Sequence, residues 1–293
     1  MLIGLGSLAV RLLFGTGLGH SALLYVLGPY LLAIAIAVLR PIRPKSQWWQ
    51  AYVDFSLVSL IVLLATSILL GEGFICVLFF LPIHFSIVTL VFIVHGVREA
   101  VTWRRNRHLS FVLPLVVTLA SVEGTSPMTS FERAHSVEVS KVAPHGVAQL
   151  HFHLGQPIDL RRDRHWLLAP FPMPEPLDSQ IFEPGAVHEL NVRYPRWFVT
   201  NVHAGDLRLL LTEVSERAVK AQVVHDTTLF ATYLALVGIE LQFEPMSGQR
   251  TQVTLRVDYE RRLDPAWYFH PLIGFALTKM GEFLIDEVII REQ

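Results

Sequence analysis

The sequence predicts a helical membrane region followed by an α+β half, in which a twisted antiparallel sheet is covered by one long C-terminal helix. Three observations predict it. The 293-residue chain is 52% hydrophobic and only 17% charged, with a mean hydropathy of +0.44. Soluble domains carry about 25% charged residues, so part of this chain belongs in lipid. The long apolar runs lie within residues 1–122, beyond which short segments alternate apolar and polar. The chain then closes on an amphipathic stretch. The boundaries follow: a membrane region at 1–122, a polar linker at 123–134, and a globular domain at 135–293.

The first run, Met1–Leu18, is broken by Arg11 and several glycines and has no small-residue cleavage site. It reads as an interfacial or half-inserted helix, with a fifth span as the alternative. Ala22–Leu39, Val53–Leu70 and Phe74–Val94 are each close to the ~20 residues a bilayer core requires. Leu109–Val122 contains Pro114 and reaches only about 21 Å as a helix. It therefore either thins the bilayer, extends at its ends, or does not span.

Arg40, Arg43 and Lys45 follow the first full span, and Arg98, Arg104, Arg105 and Arg107 follow the third. The Gly-Glu-Gly turn at 71–73 has no basic residue. The positive-inside rule puts 40–47 and 98–108 in the cytoplasm. If Leu109–Val122 spans, the globular domain is extracytoplasmic on the plasma (inner) membrane; if not, it is cytoplasmic. Asp54 reads as an interfacial acid beside Trp48 and Trp49. His84 follows Pro82 closely and is expected to bond a carbonyl that the proline frees.

In the second half, residues 135–142 alternate as a strand, and "APHGVAQLHFHL" reads as a helix start. The four prolines of 169–178 make an extended surface loop. "GAVHELNVRY" places His188, Leu190, Val192 and Tyr194 on one face. "DLRLLLTEVSE" and "AVKAQVVHDT" follow as strands, then "IELQFEP" with Ile239, Leu241 and Phe243 on one face. "PMSGQR" turns the chain into "TQVTLRVDYE", with Val253, Leu255, Val257 and Tyr259 together. "LDPAWYFHP" leads from that strand into the last helix, with Pro271 opening the helix and Trp267 and Phe269 buried against the sheet. The helix's apolar stripe is read as Leu272, Ile273, Ala276, Leu277, Met280, Phe283, Leu284 and Val288.

This order of elements resembles the START-like superfamily of polyketide cyclase/dehydrase and lipid-transport proteins (SRPBCC), with its helix-grip fold. The resemblance covers roughly 135–290 and is carried by "APHGVAQLHFHL", "LTEVSERAVKAQVV" and above all "TQVTLRVDYERRLDPAWYF" before the terminal helix. The basic "RRDRHWLLAPF" at 161–171 departs from it. The family shares a cavity and has no universal catalytic residue, so no catalytic residue is assigned. The resemblance implies an apolar cavity between sheet and helix. Its expected walls are His188, Leu190, Val192, Tyr194, Leu241, Phe243, Val253, Leu255, Val257, Met280 and Leu284. His188 and Tyr194 would orient the ligand.

Composition and motifs narrow the rest. A net charge of −1 offers no basic field for nucleic acid. Cys76, the only cysteine, permits no disulfide framework. His151 and His153 would share a face only on a strand, and no further ligand motif accompanies them, so neither metal nor cofactor is expected. The expected partners are a hydrophobic small molecule or lipid and the membrane. Two other readings stay open. One is a cyclase or hydratase using His188 with Tyr194 or Glu287. The other is a ligand-free module for a membrane-protein partner, its cavity filled by Trp197, Phe243, Trp267 and Phe275.

Overall fold

The structure is a computed structural model describing residues 20–39, 48–70, 74–100, 109–157, 160, 168, 171, 173–176, 181–197 and 200–291. The expectations for Met1–Leu18, the Arg-rich connections and half of the proline-rich loop lie outside these residues. The chain divides into two units. The first holds the described residues up to Phe131 together with Leu263–Tyr268; the second holds Glu132–Arg262 and the described residues from Phe269 on.

The first unit is built on four helices among the described residues. They are α1 (Leu23–Leu39, opening on a π-helical turn), α2 (Trp48–Leu70), α3 (Phe74–Ala100) and α4 (Leu109–Ala120). Two segments, Trp48–Ile68 and Val77–His95, are long and apolar enough to cross a membrane. The shared core includes Tyr30, Ile36, Phe55, Val88, Phe92 and Val117. Two pairs of polar groups meet within it, which an apolar surrounding favours. Tyr52 and Thr89 share a 2.7 Å hydrogen bond, and Ser59 and His84 one of 2.9 Å. His84 therefore does not serve the Pro82 break; its Nε2 meets the Ser59 hydroxyl on the neighbouring helix.

The ends of these helices are tied together. The Ala22 N–H donates to the Glu123 carbonyl (3.0 Å), and α4 packs on the opening turn of α1. The segment Leu263–Tyr268 completes this end. Asp264 N–H donates to the His20 carbonyl (2.8 Å), Ala266 N–H to the Glu123 carboxylate (2.7 Å), and the Tyr268 hydroxyl to the Phe79 carbonyl (2.6 Å). Gly124, at φ +77°, gives the Asp264 carboxylate its place, because a Cβ there would lie 2.0 Å from Oδ2. The start of α1, the first turns of α3 and the exit from α4 thus lie at one end of the unit.

In the second unit a six-stranded antiparallel sheet runs in the order β1-β6-β5-β4-β3-β2. Its strands are β1 (Ala134–Ala143), β2 (Val187–Trp197), β3 (Thr200–Val214), β4 (Ala218–Asp226), β5 (Leu234–Met246) and β6 (Arg250–Arg261). Helix α5 (Val147–Leu154) follows β1, and α6 (Ala266–Leu284) closes the chain through a π-helical turn, Ile285–Ile290. This is the helix-grip α+β fold. On β6 every second residue from Thr251 to Arg261 is buried, as period-two alternation dictates. The outer face carries a ladder of alternating charge: Glu213, Lys220, Glu240, Arg256 and Glu138 stand opposite one another across five strands.

The terminal helix departs from expectation in three ways. It begins at Ala266, so Pro271 lies inside it. Starting there, positions 267 and 269 point about 200° apart, so only one can be buried. Phe269 is buried and Trp267 is 62% exposed. Its fully buried positions are Phe269, Ile273, Gly281 and Phe283, and the π-helical turn then brings in Ile285, Ile289 and Ile290. Most of the expected stripe is half-buried instead. Gly281 is the seat of the helix: a Cβ there would lie 3.0 Å from Val139 Cγ2 and 3.4 Å from Leu255 Cδ2.

Candidate ligand-binding site

The inner face of the sheet grades from closed to open. Along β6, Val253, Leu255 and Val257 are buried, and they join Val139, Leu211, Val219, Phe243, Ile285 and Ile289 in one core. Leu255 is 3% exposed and lies directly under Gly281. One strand away the burial relaxes. Leu241 and Ile239, paired with Leu255 and Val257, are only half-buried, as is Leu236 opposite Tyr259. The same holds for Leu207 and Leu209 on β3, and for Leu190 and His188 facing them on β2. Apolar residues of the inner face on β5 and on β2–β3 are therefore left incompletely covered.

The helix side shows the same gradation. Met280 and Leu284 are half-buried and pack against a second cluster of Leu160, Leu168, Met173 and Phe283. Leu284 and Val288 touch both clusters. Thus Leu284 joins Phe243, Val253, Leu255, Val257 and Leu241 in one contiguous set, while Met280 lies in the second cluster. Val192 and Tyr194 are buried further along β2, where an isolated bridge from Pro174 to Val192 covers the strand's free edge.

The polar groups do not converge. His188 Nε2 meets the Ile181 carbonyl at 2.8 Å, and its ring abuts Phe182. Tyr194 lies six residues along the same strand, about 20 Å away at the rise of a β-strand. Glu287 is exposed on the π-helical turn, where it lines a polar cleft of about 540 Å³ with Lys141, Val142, Asp286, Ile290 and Arg291. No acid–base pair suited to a cyclase or hydratase forms from these three. His151 and His153 lie on helix α5, the first against the Phe243 ring and the Glu216 carbonyl, the second on the Ile289 carbonyl. Among the described residues no group of three or more histidine, cysteine, aspartate or glutamate side chains could hold a metal.

One polar cluster was not anticipated from the sequence. Tyr259 is the next-to-last residue of the inner row of β6, before Arg261, and its buried hydroxyl has no hydrogen-bond partner. Burial raises its pKa, with the Arg261 guanidinium acting in the opposite sense. The His135 ring lies 5.8 Å from Tyr259 and 4.0 Å from His270, centroid to centroid. Burial holds the His135 imidazole below its usual pKa; His270 and Arg261 add to this, and Glu132 opposes it. The alternation of β6 contained the signal for Tyr259, but the pairing with His135 and His270 needs the register of β1 on β6.

No protein-family model matches the chain, and no curated protein matches it. Solved structures do. A START superfamily protein from Mycobacterium smegmatis is 11% identical, with a TM-score of 0.35, over 53% of this chain and 97% of that one. A truncated norcoclaurine synthase from Thalictrum flavum is 11% identical, TM-score 0.33, over 56% and 99%. The Zhui aromatase/cyclase from Streptomyces sp. R1128 is 12% identical, TM-score 0.29, over 52% and 94%.

Proposed function

We propose that the chain is an integral membrane protein whose sheet-and-helix domain binds a lipid or other hydrophobic molecule, for carriage or sensing. The observation that carries this reading is the half-buried apolar surface formed by Leu190, Leu207, Leu209, Leu236, Ile239 and Leu241. A half-buried apolar surface of this kind favours an apolar ligand. Burying six methylenes there would contribute about 5 kcal/mol. The filled-cavity reading is met by Phe243, which is buried in the core, but fits less well at Trp267 and Phe275, which are 62% and 50% exposed.

The membrane part of the proposal is supported by the surface of α2 and α3. Only 33% and 39% of the two apolar windows are buried, and Leu57, Ile61, Leu90 and Ile93 face outward. A helix buried in a soluble core would hide such residues. The joined ends of α1, α3 and α4 also bear on sidedness. The exit from α4 lies at the same end as the first turns of α3. Together with the positive-inside rule this favours a spanning α4 and an extracytoplasmic domain.

The test is native mass spectrometry of the detergent-solubilised full chain, wild type against Leu241→Trp. A bound lipid-sized adduct that the substitution removes is the expected result. Absence of any adduct from the wild type across several added lipid classes would overturn the proposal.

A further inference from the structure

We infer that Trp267, Met128 and Phe131 form an interfacial collar that seats in the headgroup–acyl boundary of a bilayer. The inference rests on the membrane reading of α1–α4. All three residues belong to the first unit, and all are large apolar side chains in contact with solvent: Trp267 is 62%, Met128 97% and Phe131 67% exposed. Singly exposed apolar residues need no explanation. These three sit on two short segments that meet at the tied end of the helices.

The depth of Trp267 follows from the hydrogen bonds beside it. Tyr268 donates to the carbonyl of Phe79, which lies two residues inside the apolar window Val77–His95. At 1.5 Å per residue that is about 3 Å from the window's end. Tyr268 therefore marks the edge of the apolar slab, and Trp267 precedes it on the same helical turn. The Ala266 N–H is held by the Glu123 carboxylate, so the segment has little freedom to swing away. Met128 and Phe131 follow Glu123 on the chain that leaves α4. An indole joins an apolar body to one N–H donor, which suits the zone where hydrocarbon meets water. A lipid occupant is favoured over a protein because Tyr268 ties this rim to the edge of the apolar window of α3, whose outward-facing residues include Leu78.

The experiment places nitroxide labels on the full chain in lipid nanodiscs, in a Cys76→Ser background. Four single variants are compared: Trp267→Cys, Met128→Cys, Ile61→Cys and Ser247→Cys. Collisions with oxygen, which favours lipid, and with a nickel chelate, which favours water, are measured for each. Labels at 267 and 128 should collide more with oxygen than the label at 247, yet sit shallower than the label at 61. If 61 is deep in hydrocarbon but 267 and 128 behave like 247, the collar is wrong while the membrane reading stands. Labels at 267 and 128 shielded from both reagents would mean a protein covers them, which also overturns the collar. If 61 itself behaves like 247, the membrane reading fails and the collar with it.

Discussion

Replacing Leu255 by tryptophan tests whether the sheet–helix interior is closed at β6 and open one strand away. Leu255 Cδ2 lies 3.4 Å from where a Gly281 Cβ would be, so the helix leaves no room above it. A larger ring there must lift α6 or distort β6. Overpacking of this kind costs about 1–3 kcal/mol. For a domain of this size each kcal/mol lowers the melting temperature by about 2–4 °C, so a fall of roughly 2–12 °C is expected. Leu255→Ala should also destabilise, by about 3–5 kcal/mol, because the site cannot collapse around Gly281. Leu241, the cross-strand neighbour of Leu255, is half-buried. Leu241→Trp should place its ring in open space, shift the melting temperature by no more than about 2 °C, and remove bound lipid. The assay is thermal unfolding of the full chain in detergent, followed in the β-sheet band of the circular dichroism spectrum, with native mass spectrometry of the same samples. The reasoning is refuted if Leu255→Trp melts like wild type while abolishing lipid binding and Leu241→Trp leaves binding intact. The open space would then lie at β6.

Three further outcomes are expected. Gly124→Ala should cost at least about 1–3 kcal/mol through its left-handed backbone alone, and more through the clash with Asp264; a melting temperature equal to wild type would contradict the packing of Leu263–Tyr268. Lys220→Glu places three acids in a row, Glu213, 220 and Glu240, and should lower the melting temperature by an amount that shrinks as salt is raised; a salt-independent loss would point to packing instead of charge. His135, with a folded pKa held down by burial, favours the neutral form in the fold. Its contribution is present above about pH 6.5 and lost as pH falls below that value, so wild type should lose more stability between pH 7.5 and 5.5 than His135→Asn. Parallel pH profiles for the two would remove His135 as the cause.

The fold was legible because both periods in the sequence are strong. The run from Thr251 to Arg261 alternates without a break, and its structure buries every second residue. β2 keeps His188, Leu190, Val192 and Tyr194 on one face, as the same pattern requires. The degree of burial was not legible. Leu255 and Leu241 look alike in sequence and share a face, yet only Leu255 lies under Gly281. Which position of a strand meets the close approach of a helix depends on where that helix has its small residue and on the register between them. A glycine within a helix carries both meanings, weak helix former or point of contact, until its neighbours are known.

The aromatic passage before α6 shows the same limit more sharply. "LDPAWYFHP" offers three adjacent aromatic side chains, and helical geometry forbids all three from sharing one face. Sequence size alone favours burying the tryptophan. The structure buries Phe269, half-buries Tyr268 and exposes Trp267. The choice follows from polar bonds that span most of the chain. Asp264 is fully buried, with its N–H on the His20 carbonyl and its carboxylate against Gly124. Ala266 is then held by Glu123, and these two fixed points set the rotation of the first helical turn. With that rotation fixed, Tyr268 packs its ring on the helical core of the first unit and donates its hydroxyl to the Phe79 carbonyl. Phenylalanine at 268 would keep the ring and lose the hydroxyl's bond to that carbonyl; tryptophan at 267 is left on the outside, where an amphipathic ring is suited to a membrane surface.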